Sequence, residues 1–181
     1  MTRSGPPVVL SFDVEEHDRI EAAVGLESSP ARRRVYGERM AATTRTILRI
    51  LGEAGVPATF YVVGEIAETH PDLIRDIAAA GHEVGSHGWD HRRVHRFTPT
   101  TFRDDLRQSK LALEKAGGRP VLGYRAPTFS VMRETGWAVD ALVAEGFAYD
   151  SSVFPVRHDR YGVPDAPRTP FLAVGTEHRI L

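Results

Sequence analysis

Four times along this chain a helix-forming stretch ends at a glycine beside small or polar residues and runs straight into a β-prone segment. The junctions are Glu53-Ala54-Gly55, Ala79-Ala80-Gly81, Lys115-Ala116-Gly117 and Ala144-Glu145-Gly146. Glycine ends a helix readily because it alone enters the left-handed region without steric cost. Upstream of these stops the apolar residues recur at helical spacing: Met40, Ile47, Leu48 and Leu51; then Leu73, Ile74, Ile77 and Ala78; then Phe102, Leu106, Leu111 and Leu113. Downstream lie short strand candidates at 57–63, 82–86, 121–124 and 147–149, with a first one at 8–13. Strands alternating with helices of this length pack as a parallel sheet joined by crossover helices, which makes the fold class α/β. The loops differ in length and no fixed period survives, so this is not a solenoid. Residues 17–35 show no periodicity and contain Gly25, Ser28, Ser29 and Pro30, which reads as a long loop. At 181 residues the whole chain, 1–181, is expected to form one domain.

Composition removes several function classes. With 23 basic against 24 acidic side chains there is no basic face of the kind nucleic acid requires. The chain has no cysteine, so disulfides, thiolate metal sites and cysteine nucleophiles are excluded. Its start, Met1-Thr2-Arg3-Ser4-Gly5-Pro6-Pro7, does not read as a signal peptide, and no stretch approaches the roughly 18 apolar residues of a membrane span. A cytoplasmic protein without a membrane span is the expectation.

In parallel β/α folds, chemistry collects where the strands end. The first strand runs into Asp13-Val14-Glu15, the third into His87-Gly88-Trp89-Asp90-His91, the fourth into Arg125-Ala126-Pro127 and the fifth into Asp150-Ser151-Ser152. His87 and His91 stand four apart; on one helical turn that spacing would bring both imidazoles to one side, as a divalent ion requires. Asp13 and Glu15 are two apart, so in a strand they share a face while Val14 turns into packing. One carboxylate can complete a two-histidine, one-carboxylate site and the other can stay free as a base, a division suited to hydrolysis. Arg125, stiffened by the proline that follows Ala126, can pair bidentately with Asp13. His95 continues the histidine spacing and reads as a solvent-facing residue beyond the site.

These segments together, with Ser11-Phe12 before Asp13, Thr59-Phe60-Tyr61-Val62-Val63-Gly64 and Gly81-His82-Glu83-Val84-Gly85-Ser86 before His87, resemble the polysaccharide deacetylase family, the NodB homology domain of carbohydrate esterase family four. The resemblance spans about residues 8–154. The D-x-E form and the tail Val163-Pro164-Asp165-Ala166-Pro167-Arg168 are similar to the branch associated with exopolysaccharide and exosortase loci. The resemblance implies a distorted (β/α) barrel, here without its last strands, that hydrolyses a carbon–nitrogen bond to remove acetyl from an N-acetylated polysaccharide or oligosaccharide. It assigns Asp13 as general base, His87 and His91 as ligands of zinc or a similar divalent ion, Arg125 as the residue holding Asp13, and Asp150 to the fourth motif. An amide after Pro127 would help hold the oxyanion, and Trp89, Pro127, Phe129 and Tyr149 are the candidate substrate-binding residues. Two positions depart from the family pattern. Val14 stands where the family has a second aspartate, so the metal carboxylate is Glu15 or is absent. The family's late Leu-x-x-His, source of the general acid, has no match, and His178 is the only late candidate.

Two other readings stay open on the sequence. Related barrels hydrolyse cyclic ureides and imides, some without metal, and a domain lacking its acid would bind saccharide without turnover. A sheet short of its closing strands would also leave an open edge, which predicts self-association.

Overall fold

The computed structural model describes residues 8–19 and 28–181. Five strands, β1 (Ser11–Val14), β2 (Thr59–Val62), β3 (Glu83–Ser86), β4 (Gly123–Tyr124) and β5 (Tyr149–Asp150), form one parallel sheet in sequence order. Between them run α1 (Pro30–Ala54), α2 (Ile66–Thr69) with α3 (Pro71–Ala79), α4 (Pro99–Gly117) and α5 (Ala138–Ala144). Helices α1, α3, α4 and α5 touch one another in that order, forming a continuous layer. The alternation predicts the α/β class, and the sheet-and-helix arrangement is that of the distorted (β/α) barrel the family resemblance implies.

The register explains what faces where. Phe12 pairs with Phe60, which pairs in turn with Val84, and Val14 pairs with Val62, which pairs with Ser86; most of these side chains point into the helix layer. There Phe60, Val62, Ile77, Leu106, Leu113 and Leu142 are fully buried in one apolar cluster. The alternate residues, Ser11, Asp13, Thr59, Tyr61 and Glu83, lie on the opposite, polar face of the sheet. A cavity of about 840 Å³ sits against that face, lined also by parts of the segment 153–173.

Two sequence expectations change. Helix α1 begins at Pro30, inside the segment read as loop; of that segment, 20–27 lies outside the described residues. Ser29 caps it by accepting from the Arg32 amide at 3.3 Å, and Pro30 fills the first turn, where its missing N–H costs nothing. Most of the helix's first two turns face solvent, so no apolar period marks them. After β5 the chain also makes an antiparallel hairpin, β6 (Ala173–Val174) and β7 (Arg179–Ile180), too short to leave a pattern. Asp140 of α5 anchors it by accepting the amides of Thr176, Glu177 and His178 at 2.7–2.9 Å.

Candidate metal centre

Three side chains converge at the strand ends. Glu15 leaves β1, His87 leaves β3 and His91 follows four residues on, and one ligand atom from each lies within 4.8 Å of the others. The alternation of β1 works as expected: Val14 is buried while Asp13 and Glu15 keep 28% and 21% of their side chains exposed. The histidine pair differs from expectation, because residues 87–93 form a loop and not a helical turn. Gly88 (φ 74°) and His91 (φ 66°) both adopt left-handed backbone, and these two reversals carry the second imidazole back beside the first. The rings stand 5.1 Å apart. For a non-glycine residue such as His91 that conformation costs about 1–2 kcal/mol, so the surroundings must hold it.

The polar atoms fit a cation. His87 Nδ1 donates to the Arg125 carbonyl at 2.8 Å, which leaves Nε2 as a bare lone pair. Burial also lowers the His87 pKa, favouring the neutral ligand form. Burial alone would raise Glu15, but His91, with His87 and Arg19 behind it, holds the carboxyl below its usual range. Glu15 Oε2 is buried, 2.6 Å from His91 Nε2, and has no hydrogen bond of acceptable geometry. A buried carboxylate oxygen gathered with two imidazoles is a donor set suited to a divalent ion. Histidine and carboxylate oxygen suit zinc or a similar divalent ion.

Beside this cluster Arg125 holds Asp13. Its Nη1 donates to Asp13 Oδ1 at 2.8 Å; its Nη2 donates to Ser11 Oγ at 2.9 Å and Ser151 Oγ at 2.8 Å; its Nε donates to the Ser151 carbonyl at 3.2 Å. The Tyr61 ring lies 4.1 Å from the guanidinium centre. The expected bidentate pairing is therefore replaced by a single arm, since the second is spent on two serines. Asp13 Oδ2 is left without a partner among the described residues. Ser11, Ser151 and Tyr61 escaped the sequence reading, although Ser11 shares the period-two face of Asp13 and Ser151 directly follows Asp150.

The remaining expected residues are placed as follows. Asp150 is bonded to the Ser152 amide (3.0 Å) and hydroxyl (2.5 Å), and Ser152 in turn accepts the Ala126 amide at 2.7 Å. Asp150 thus shapes the Arg125-Ala126-Pro127 segment; burial pushes its pKa up to about 6 against those bonds. Pro127 is buried, and Thr128 (φ 56°) and Phe129 (φ 50°) turn left-handed after it. Phe129 lies 5.5 Å from the Arg125 guanidinium centre and packs on Phe154 at 5.1 Å. The Tyr149 hydroxyl is 3.4 Å from that of Tyr61, on the inner sheet face. Trp89 is half-buried between the two histidines, and His95 is exposed as expected. His178 sits on Asp140, its Nδ1 3.3 Å from Oδ1, at the hairpin anchored to α5 and outside the metal cluster.

A cleft of about 580 Å³ opens beside β1 and α1, lined by Asp13, Glu15, His17, Tyr36 and Arg39 among others. The helices and sheet agree with the comparisons. The family model for polysaccharide deacetylases matches residues 2–145. A peptidoglycan deacetylase of Helicobacter pylori is 31% identical over 107 residues, covering 59% of this chain and 36% of its own. A chitooligosaccharide deacetylase of Rhizobium leguminosarum bv. trifolii is 36% identical over 99 residues, covering 55% and 43%. The crystal structure of a Mycobacterium smegmatis protein assigned as a polysaccharide deacetylase superposes with a TM-score of 0.64 at 33% identity, over 83% of this chain and 52% of that one. The chain thus spans about half or less of the length of these relatives. On the family match and the shared fold, this chain belongs to the polysaccharide deacetylase family.

Proposed function

We propose that the chain carries the centre of a divalent-metal-dependent deacetylase acting on an N-acetylated saccharide. The observation that carries this reading is the convergence of Glu15, His87 and His91 beside an aspartate clamped by Arg125. Two of the relatives are named for peptidoglycan and chitooligosaccharide, which supports a substrate built from N-acetylated sugars. Glu15, His87 and His91 would hold the ion, which supplies Lewis acidity to an acyl oxygen and acidity to a water. Asp13 Oδ2, the oxygen Arg125 leaves free, takes the water's proton as attack begins. Arg125 keeps the carboxylate aimed while Ser11, Ser151 and Tyr61 keep Arg125 still. The Thr128 amide, in the turn after Pro127, is the candidate donor to the developing oxyanion. Phe129 and Trp89 offer faces for a sugar ring.

The position of His178 on Asp140 favours a second reading, a domain that binds saccharide without turnover, because the protonated group needed by the leaving amine is not supplied from there. Acetate release from N-acetylglucosamine oligomers decides between them, measured with chelator, with added zinc and in Asp13→Asn. The first reading expects zinc-restored release that falls about 10²- to 10⁴-fold in the variant, with zinc still bound. Saccharide binding and zinc binding without any acetate would establish the second.

A further inference from the structure

We propose that Asp105 and Ser109 of α4, working with Ser86, are positioning residues for the metal ligands. They fix the backbone of Gly88 and Trp89, the first two residues of the loop between His87 and His91. This rests on the metal-centre reading of Glu15, His87 and His91.

The two residues stand one helical turn apart on the buried side of α4, alongside Phe102, Leu106 and Leu113. Polar groups there need a reason, and the hydrogen bonds supply it. Ser109 Oγ donates to the Gly88 carbonyl at 3.0 Å. That uses its only proton, so in the 2.8 Å contact between the two serine hydroxyls Ser86 must be the donor. Ser86 Oγ in turn accepts the Gly88 amide at 3.3 Å. The result is a closed ring: Gly88 N–H to Ser86, Ser86 to Ser109, and Ser109 back to the Gly88 carbonyl. One residue on, the Trp89 amide donates to Asp105 Oδ2 at 3.1 Å. From the other side, the amides of Gly64 and Glu65 donate to the carbonyls of Gly88 and Trp89 at 2.8 and 3.0 Å. All four backbone polar groups of residues 88 and 89 are held, two of them through α4. A loop with two left-handed residues and no helical turn of its own relies on such bonds to keep His91 beside His87.

Asp105 is costly as a packing residue. It is 5% exposed, its Oδ1 makes no hydrogen bond, and the Arg92 guanidinium approaches that oxygen only to 3.9 Å. Burial pushes its carboxyl up to about 7 against the Trp89 amide. An apolar side chain of similar size would fill the site without that cost. The carboxylate therefore marks a task that packing does not require, holding the Trp89 amide.

The test uses the full chain stripped of metal and titrated with zinc against a chelating indicator, with the thermal midpoint of the metal-free protein recorded in parallel. Asp105→Leu and Ser109→Ala should each weaken zinc binding by about 10- to 100-fold. Asp105→Asn keeps an oxygen for the Trp89 amide and should stay within about 3-fold of wild type, well short of that loss. The metal-free midpoint of Asp105→Leu should hold or rise, whereas a merely structural residue would lower it. Asp140→Asn, at the distant hairpin, should leave zinc affinity unchanged. Wild-type zinc affinity in both Asp105→Leu and Ser109→Ala overturns the proposal, as does loss of affinity that only tracks loss of metal-free stability. Ser109→Ala decides alone if Asp105→Leu does not fold. A wild-type chain that binds no zinc overturns the metal-centre reading itself, and the positioning role with it.

Discussion

Arg125 spends every arm of its guanidinium: one on Asp13, the others on Ser11 and Ser151, with the Tyr61 ring beneath. A lysine has one ammonium and no planar fork, so it cannot reproduce that set. Arg125→Lys should lower acetate release by about 10- to 100-fold, the loss of one charge-assisted bond, with zinc affinity unchanged because Glu15, His87 and His91 are untouched. Gly64 makes a steric case. A Cβ there would lie 2.9 Å from Ser109 Cα and 2.8 Å from the Trp89 ring. Gly64→Ala should destabilise the chain by about 1–3 kcal/mol in urea unfolding, because α4 cannot retreat from backbone contact. The residues that bear charge were legible in the sequence because strand alternation and strand-end position alone bring Asp13, Glu15 and Arg125 together. The neutral residues that hold them were not. Ser11, Ser86, Ser109 and Ser151 act through single hydroxyls whose partners lie up to 114 positions away, and no local pattern encodes a partner. Asp105 and Ser109 did leave a trace, as polar residues interrupting the apolar side of α4.

Helices and strands followed the apolar periods wherever burial imposed one, but Leu111, read onto the apolar side of α4, is exposed because Asp105 and Ser109 lie on the buried side instead. The first turns of α1 are solvent-facing and so carried no period, and only Ser29-Pro30 marked its start. The His87–His91 spacing was sound while its geometry was not, because Gly88 and His91 turn the chain by left-handed backbone. The β6–β7 hairpin depends on Asp140, a contact between elements. Burial would raise that carboxyl, yet three amides and His178 hold it down to about 2. An unfolded aspartate titrates near 3.9, so the folded state binds its proton less readily. The stabilisation is then present above about pH 4 and lost as pH falls through about 2. Thermal midpoints of wild type and Asp140→Asn should differ at pH 6 and converge near pH 2; a gap that persists at pH 2 would contradict the anchoring role.

At the scale of the molecule, β1 and β5 are the two outer strands of the sheet. The approach to β1 is apolar and open: Val8 and Val9 are 86% and 79% exposed, and Leu10 is 38% exposed. Unpaired backbone flanked by apolar side chains favours association through the edge. Sedimentation velocity should show association that grows with protein concentration and weakens in Val9→Lys; a single species at every concentration would refute it. The sheet also orders the site in time. All three candidate ligands lie within the first 91 residues, whereas Asp13 is clamped by a partner 112 positions further along, itself braced by Ser151. Chains emerge from the ribosome N-terminus first. A growing polypeptide of this kind exposes all three candidate ligands before α4 and β4 arrive to hold them and to clamp Asp13, so the centre takes its shape only when those later elements dock.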